Sequence, residues 1–294
     1  MTRSPSEARE AGPGDSPMGT VCVEIAVRDD PRLVAAVASL GTQHRRPERV
    51  LLAAAPETPE SLVEDARRQA PGLRVDIVRT PGNIQDARAG ALSELTEDVT
   101  AILDADEIAP PEWLERLLAP IEAGGSTFSG GPTRPTRAPA TSIERYQALI
   151  ERSIYEELVP QQVTYLPLQN SAWRTRDLKR LGIERRHTAE DHDLAARAVQ
   201  SGLRGTFVPE AWVYHDKTSE ASFWGWLRKR YRYNVGMAMS LLKTGELRGR
   251  LAERRRPIPH PLYGIELLLK PVALIDARIR WARLSRSTPS GPSP

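Results

Sequence analysis

Short apolar runs alternate with amphipathic segments over the first third of the chain, and this alternation most constrains the fold. The apolar runs cover residues 21–27, 50–54, 73–78 and 99–103 and are typical of buried strands. Helical spacing of apolar residues predicts helices at 33–40, 61–69 and 84–95. Strands and helices that alternate at this spacing predict βαβ units, with a mainly parallel sheet covered on both faces.

Two carboxylates, Asp104 and Asp106, follow the fourth apolar run. Because side chains alternate along a strand, we expect both to point the same way, with only Ala105 between them. Paired carboxylates at the carboxyl end of a central strand are where an open α/β sheet can hold a metal ion and a diphosphate. Aspartate is also common in solvated turns, so the triplet alone does not establish a site.

The remainder of the chain predicts shorter elements after a stretch rich in Gly and Pro at 124–139. A short strand is expected at Phe128, and Gly182 and Gly202 are expected to end helices. Further helices are predicted at 142–158, 177–181 and 190–200, and further strands at 170–174, 206–208 and 212–215. We expect the last two strands to complete the same sheet.

Composition limits the compartment and the termini. The single cysteine, Cys22, excludes an intramolecular disulfide and fits a reducing cytoplasm. Residues 1–18 lack the apolar core of a signal peptide, and both they and residues 285–294 are expected to be disordered. No run of 18 uncharged apolar residues occurs, so no membrane span is predicted.

A basic and aromatic segment at 223–234 is the densest of its kind in the chain. On a helix, Arg228 and Arg232 share a face, with Trp224 one turn earlier, and arginine forks match phosphate oxygens. The same pattern fits a solvated basic helix face or a patch attracted to anionic lipid. Nothing else in the chain favours a nucleic-acid surface, so no nucleic-acid partner is expected.

The C-terminal region combines a basic stretch at 247–256 with an apolar segment at 262–281. Glu266, Lys270, Asp276 and Arg278 interrupt the apolar segment and Pro271 is expected to kink it, which disfavours a single membrane span. Two interpretations stay open: a helix packed on the catalytic domain, and an interfacial helix on a membrane surface.

In this order, the motifs resemble those of family 2 glycosyltransferases with the GT-A fold. The resemblance runs from about residue 21 to about residue 236. It is carried by the first strand, D-A-D at 104–106, N-S-A-W-R at 170–174, E-D-H-D-L-A-A-R at 190–197 and V-Y-H at 213–215. It implies a Rossmann-like α/β core with a mixed, mainly parallel sheet flanked by helices, followed by a helical C-terminal extension.

The resemblance also implies a division of the chain. We expect a leader at 1–18, a nucleotide-sugar-binding half at 19–107, an acceptor-binding and catalytic half at 108–216, a helical basic-aromatic extension at 217–284 and a tail at 285–294.

Residue by residue, the resemblance assigns a metal site. Asp104 is expected near the ribose and the metal, and Asp106 as the direct ligand. His215 is expected at the metal or the diphosphate, although a lone histidine is equally well a hydrogen-bonded surface residue. Hard oxygen ligands with open positions for phosphate favour Mn²⁺ or Mg²⁺.

The pair Glu190 and Asp191 matches the family's E-D motif, whose aspartate is similar to the base that deprotonates the acceptor. A well-placed carboxylate suits this task, because an alcohol loses its proton only as the new bond forms. The alternative is structural: Thr188 would cap a helix, with Asp191 as the third residue of a capping box. Asp193 is expected to be a surface or capping acid.

Five further residues are assigned to the donor. Arg88 matches the family's A-R segment beside the nucleotide, and Asp29 follows the first strand where donor contacts are expected. Glu57 stands where the family carries an acidic turn that reads the base. Arg228 and Arg232 are expected on the departing diphosphate. The basic loop at 185–187 fits a phosphorylated acceptor or a solvated turn.

The expected activity is inverting, metal-dependent transfer of a sugar from a nucleotide-diphosphate donor to the hydroxyl of a glycan, a lipid-linked acceptor or a small molecule. The alternative is a catalytically silent sugar-nucleotide-binding or membrane-surface scaffold protein, and a nucleotidyltransferase is a lesser one. We expect a cytoplasmic protein, with peripheral contact at the inner face of the cell membrane left open.

Overall fold

A computed structural model describes residues 19–158, 163, 165–185, 189–216, 222–247 and 257–287. Several sequence predictions lie outside the described residues: the leader at 1–18, most of the tail, part of the basic loop with Thr188, and nearly all of the basic stretch at 247–256.

The first half of the chain forms the predicted alternation of strands and helices. Its elements are β1 (Val21–Val27), α1 (Leu33–Gly41), β2 (Arg49–Ala54), α2 (Glu60–Gln69), β3 (Val75–Arg79), α3 (Ile84–Ala91), a short 3-10 helix (Leu92–Glu94) and β4 (Val99–Asp104).

The second half contains shorter strands and longer helices. Its elements are β5 (Glu107–Ile108), α4 (Trp113–Glu122), β6 (Phe128–Gly130), β7 (Thr133–Pro135), α5 (Ser142–Glu157), β8 (Ser171–Arg174), α6 (Thr175–Leu181), α7 (Glu190–Gln200), β9 (Gly205–Phe207), β10 (Val213–His215), α8 (Phe223–Thr244) and α9 (Pro261–Ser287).

The main sheet has seven strands in the order β3-β2-β1-β4-β8-β6-β9. Strands β1 to β4 are parallel, whereas β8 runs antiparallel to both β4 and β6. The chain winds from β1 outward to β3 and then returns to place β4 on the other side of β1. This reversal opens a crevice at the carboxyl ends of β1 and β4, where open α/β sheets bind their ligands.

Helices cover both faces of the sheet, as the apolar runs predicted. Helices α1, α2 and α4 pack on one face and α3, α6 and α7 on the other. All seven residues of β1 are buried, and alternate side chains along it enter opposite layers: Val21, Val23, Ile25 and Val27 enter one, and Cys22 and Ala26 the other.

The prediction that the last two strands complete this sheet is wrong for β10. Strand β9 forms the edge of the main sheet, but β10 lies in a separate three-stranded sheet between β5 and β7. Strands of two or three residues are too short to show a period in sequence, so β5 and β7 were not predicted. The small sheet pairs His215 with Glu107, directly after the D-A-D triplet.

One buried asparagine connects three parts of the second half. The Asn170 amide donates to the carbonyl oxygens of Pro132 and Ala211, each at 2.9 Å, and its Oδ1 accepts from Trp113 Nε1 at 2.6 Å. Its backbone has a φ of 56°, in the left-handed region that asparagine tolerates better than most residues. Gly131 lies beside it, and a Cβ there would stand 1.8 Å from the Ala211 oxygen.

The two C-terminal helices, α8 and α9, pack against each other as a pair. The Tyr231 hydroxyl donates to Asp276 at 2.9 Å, and Ala238 and Ala277 belong to one apolar cluster between the helices. Helix α9 continues through Pro271, and the kink expected there stays a prediction. Among the helices that the structure describes, none has the length and apolarity to cross a membrane.

Replacement of Asn170 by alanine should lower the free energy of unfolding by roughly 3 kcal/mol, because it removes buried hydrogen bonds and leaves their partners unsatisfied. Urea denaturation measures this loss. The Asn170→Gly variant separates the loss of hydrogen bonds from the backbone strain that alanine would suffer at a positive φ. Because glycine tolerates the positive φ, this variant should be more stable than the alanine variant by about 1 kcal/mol. An alanine variant with the wild-type midpoint would contradict the assigned role.

Candidate active site

The two carboxylates of the D-A-D triplet lie at the mouth of the crevice but not on one strand. Strand β4 ends at Asp104, and Asp106 lies in the turn that follows. The buried Glu107 carboxylate accepts the Asp104 N–H at 3.0 Å, across this turn. The expectation that both carboxylates stand on one strand is therefore wrong, and each has its own partners.

Asp104 is held by a buried ion-pair network. Arg88, on α3, donates from Nη2 to Asp104 at 2.8 Å and from Nε to Glu24 of β1 at 3.1 Å. Burial disfavours the charged form of Arg88. The negative charges of Glu24 and Asp104 outweigh this effect and keep the Arg88 pKa above its ordinary value. Burial raises the Glu24 pKa to about 7, with Arg88 opposing. Arg88 therefore orients Asp104 from beneath the crevice.

Asp106 pairs with His215 of β10. Their Oδ2 and Nε2 atoms are 3.2 Å apart, and Arg32 Nη2 is 3.6 Å from the same oxygen. Burial opposes ionisation of Asp106, but the hydrogen bond and charge of His215, together with Arg32, hold its pKa below the ordinary value. Burial also opposes the His215 charge, yet Asp106 and Glu107 raise the His215 pKa to about 9.

Glu107 lies behind this pair. Burial raises its pKa to about 8, with His215 opposing. Glu107 Oε1 and His215 Nδ1 are 3.9 Å apart, and within the described chain both are buried polar atoms that lack a hydrogen-bond partner.

Glu190 and Asp191 form the first turn of α7. The helix begins at Glu190 with Ala189 as its N-cap, so Asp191 is not the third residue after a capping side chain and the capping-box alternative is wrong. Asp191 Oδ2 instead accepts from the Tyr165 hydroxyl at 2.7 Å, and Oδ1 accepts from the His192 N–H at 2.7 Å.

Electrostatics connect this turn to the end of β4. Burial raises the pKa of Asp191, the Tyr165 hydrogen bond opposes the rise, and the Asp104 charge adds to it. Burial and then Asp191 raise the Glu190 pKa to about 7, with a further contribution from Asp104. The structure thus brings Asp104, Glu190 and Asp191 within electrostatic range of one another.

Asp193 was expected to be a surface or capping acid, and this expectation is wrong, since the N-cap of α7 is Ala189. The Asp193 side chain is fully buried and lies 2.7 Å from Arg197 and 2.9 Å from Lys243 of α8. These two cations, one on α7 and one on α8, offset the cost of burying the charge. The contact ties the helix that carries Asp191 to α8.

Helix α8 brings a cation that sequence reasoning missed. Desolvation lowers the pKa of Lys229, and the charges of Asp106 and Asp104 oppose this change. Lys229, Arg228 and Arg232 are all exposed on this helix, and the assignment of the two arginines to the diphosphate stays a prediction.

Around the end of β1, Arg32 contacts a carboxylate of the site and is held by Asp30, whereas Asp29 makes neither contact. Asp29 is exposed, whereas Asp30 accepts from Arg32 Nε at 2.8 Å and so presents Arg32 to Asp106. Glu57 is also exposed, with its nearest cation, Arg28, at 3.8 Å. The structure does not bring Asp29 or Glu57 into the carboxylate network.

The donor set fits one type of cation site. In the described ranges, no three His, Cys, Asp or Glu side chains form a group that could hold a metal ion by themselves. Asp106 and His215 nevertheless supply two adjacent donors. A cation bound by one or two protein ligands together with substrate phosphates, as is usual for Mg²⁺, needs no more.

A groove adjoins His215 on the side of α5. Its lining includes Arg137, Glu144, Gln147 and Asp216. A separate cavity of about 580 Å³ lies at the amino ends of β1 and β4, around Asp98 and Arg174, and is therefore remote from the carboxylates.

Comparison with protein families decides the class of this site. A family model described as "Glycosyl transferase family group 2" matches residues 99–288. The chain belongs to this family. Membership confirms the predicted glycosyltransferase class and GT-A fold. No curated protein sequence matches the chain.

Solved structures show the same fold at low identity. The mannosyltransferase PcManGT from Pyrobaculum calidifontis, in complex with GDP-Man and Mn²⁺, is 19% identical with a TM-score of 0.56, over 94% of this chain and 77% of that one. S. aureus TarS 1–349 with UDP-GlcNAc is 18% identical with a TM-score of 0.52, over 76% and 66%. Glucosyl-3-phosphoglycerate synthase from Mycobacterium tuberculosis, with Mn²⁺, UDP and phosphoglyceric acid, is 14% identical with a TM-score of 0.53, over 77% and 79%.

The Arg88→Met variant should lose about 3 to 5 kcal/mol of unfolding free energy at pH 8, because Glu24 is left as an unpaired buried charge. An unpaired buried carboxyl group binds a proton more tightly in the folded than in the unfolded state, so the loss should be smaller at pH 5. Urea denaturation at both pH values measures it.

The Glu24→Gln/Arg88→Met double variant provides the control. It should regain part of the stability at pH 8, because no buried charge remains. A double variant no more stable than Arg88→Met would show that the Glu24 charge is not the cause.

Proposed function

We propose that this glycosyltransferase transfers a sugar from a nucleotide-diphosphate donor to an acceptor hydroxyl, with a divalent cation and with inversion at the anomeric carbon. The observation that carries this proposal is the position of Asp191. It is a carboxylate on the first turn of α7, held by Tyr165 and within electrostatic range of Asp104 at the sheet's switch point.

Asp106 and His215 would hold Mn²⁺ or Mg²⁺ together with the donor diphosphate. When bound, the cation neutralises the negative charge that develops on the leaving diphosphate. Asp104, fixed by Arg88, would face the ribose and the metal. The solved GT-A structures that contain GDP-Man or UDP together with Mn²⁺ support this donor class.

The chain's own cations complement the diphosphate. Arg32 and Lys229 interact with the same carboxylates and supply positive charge beside the proposed phosphate position. Arg228 and Arg232 project from the same helix as Lys229, and we assign them to the departing diphosphate.

Asp191 would act as the base. It would accept the proton from the acceptor hydroxyl as that oxygen bonds to the anomeric carbon and the bond to the diphosphate breaks. The raised pKa of Asp191 makes it a stronger base than an exposed aspartate. The groove beside His215 includes carboxylate and amide groups, which could hydrogen-bond to acceptor hydroxyls.

A cytoplasmic location accompanies this proposal. The single cysteine is buried in β1, and burial raises its pKa to about 12, so it is an unreactive core thiol. This agrees with a reducing compartment.

A catalytically silent sugar-nucleotide-binding protein is the second candidate. Glu57, at the place of the family's base-reading acid, is exposed and lies 3.8 Å from Arg28, outside the network at the switch point. A protein that has lost this contact could retain donor binding without turnover. The two candidates differ in whether the sugar is released from the donor.

The Asp191→Asn variant should lower the rate of sugar release from the donor by roughly 10³-fold, because it removes the base while retaining the shape of the side chain. A panel of UDP- and GDP-sugars with Mn²⁺, screened by thermal shift, identifies the donor, since a ligand selective for the native state raises the melting temperature. The variant should show the same donor-induced shift as the wild type.

The Asp106→Asn variant is the matched comparison. It should reduce the Mn²⁺-dependent part of the donor-induced shift, which Asp191→Asn leaves intact. Wild-type protein that binds a donor but never releases the sugar would favour the silent candidate. An Asp191→Asn variant with normal turnover would refute the base assignment.

The Tyr165→Phe variant should move the acidic limb of the kcat/KM profile to higher pH. The Tyr165 hydroxyl stabilises the ionised form of Asp191, so its removal raises the Asp191 pKa further and keeps the base protonated to a higher pH. Turnover at alkaline pH should remain near that of the wild type.

Tyr231→Phe is the control, because it also removes a hydroxyl that donates to a carboxylate, Asp276, but between α8 and α9. Its pH profile should match that of the wild type. An unshifted limb in Tyr165→Phe would mean that Asp191 does not set the acidic limb.

A further inference from the structure

The outward face of α9 is apolar. Leu268, Val272, Ile275 and Ile279 are 76%, 55%, 62% and 47% exposed, respectively. Their spacing of four, three and four residues places them on one side of the helix, which we call the α9 stripe. At 1.5 Å per residue, the stripe is about 16 Å long.

The inward side of α9 packs on α8. Ala273 and Ala277 are buried in the cluster with Ala238 and Met239 of α8, and Leu274 is partly buried against it. A helix on a protein surface normally turns polar residues outward. Helix α9 also turns four large aliphatic residues outward, so packing on α8 does not account for the α9 stripe.

Charge on α9 favours an anionic partner. Both of its carboxylates are engaged: Glu266 is buried and pairs with Arg230, and Asp276 pairs with Arg280. Arg278 and Arg283 are exposed and lie on either side of the α9 stripe in the helical projection. An aliphatic face bordered by arginines is typical of helices that lie in the interface of an anionic bilayer.

The dimensions disfavour a second copy of the chain as the occupant. One helix face about 16 Å long and about 10 Å wide offers far less than the roughly 800 Å² per partner that a stable protein interface buries. A membrane requires no matching protein surface. On the neighbouring α8, Trp224 is 75% exposed in the first turn, and tryptophan is a residue type enriched at membrane interfaces.

We propose that the α9 stripe docks the protein on an anionic membrane surface, with α9 lying in the interface plane. Helix α8 packs on α9 and also presents Lys229 to the carboxylates of the crevice. Docking of α9 would therefore place α8, which borders the candidate site, near the lipid surface. The proposal stands without the proposed reaction, because it concerns lipid binding in the absence of any donor.

Flotation of the full chain with vesicles tests the docking. The wild type should bind vesicles of phosphatidylcholine mixed with phosphatidylglycerol, bind those of phosphatidylcholine alone more weakly, and lose affinity as salt screens the arginines. Val272→Asp should lower the partition coefficient roughly tenfold or more, because it removes an aliphatic side chain from the interface and adds a negative charge.

Val199→Asp is the matched control, since it makes the same exchange at a residue that is 38% exposed on α7. It should bind vesicles as the wild type does, and equal melting temperatures of the variants would show that folding is retained. Wild-type protein that binds neither vesicle, or equal binding by Val272→Asp, overturns the proposal. A concentration-dependent dimer in sedimentation that Val272→Asp disperses, without vesicle binding, would assign the α9 stripe to a second copy instead.

Discussion

The buried contact of Arg88 with Glu24 and Asp104 is the interaction on which the crevice depends. It joins α3 to the two central parallel strands, where the winding of the sheet reverses. A guanidinium of fixed planar shape can serve two carboxylates at once, which a lysine could not do with the same geometry. Because one of those carboxylates is Asp104, the charge that stabilises the sheet also sets the direction of a side chain at the site.

Much of the fold could be predicted because its elements are long enough to show a period. The strand at 99–104 and the helix at 190–200 carry apolar residues at the spacing of their secondary structure. Strands β5 and β7 have two and three residues, so no period exists to detect. The small sheet that brings His215 to Glu107 follows from tertiary pairing, which a local pattern does not contain.

The residues of the candidate site likewise fall into two groups: those that a sequence motif indicates and those that only the fold brings to the site. Asp104, Asp106, Glu190, Asp191 and His215 stand in motifs of recognisable order, and resemblance located them. Tyr165 follows no motif, and its role depends on a contact with a residue 26 positions away in sequence. Lys229 and Arg32 were hidden for a different reason. Several cations stand near Lys229 in sequence and Arg28 stands near Arg32, and only the three-dimensional course of the backbone selects which one lies near an aspartate.

The buried carboxylate of Glu266 has a consequence for the boundaries of the folding unit. It accepts from the Tyr146 hydroxyl of α5 at 2.7 Å and pairs with Arg230 of α8, so three helices meet at one acidic group. A truncated chain ending before α9 would leave a tyrosine hydroxyl and a guanidinium inside the protein without their acceptor. The C-terminal extension is consequently an integral part of the enzyme's interior architecture, and not an appendage that evolution or a protein engineer could exchange freely.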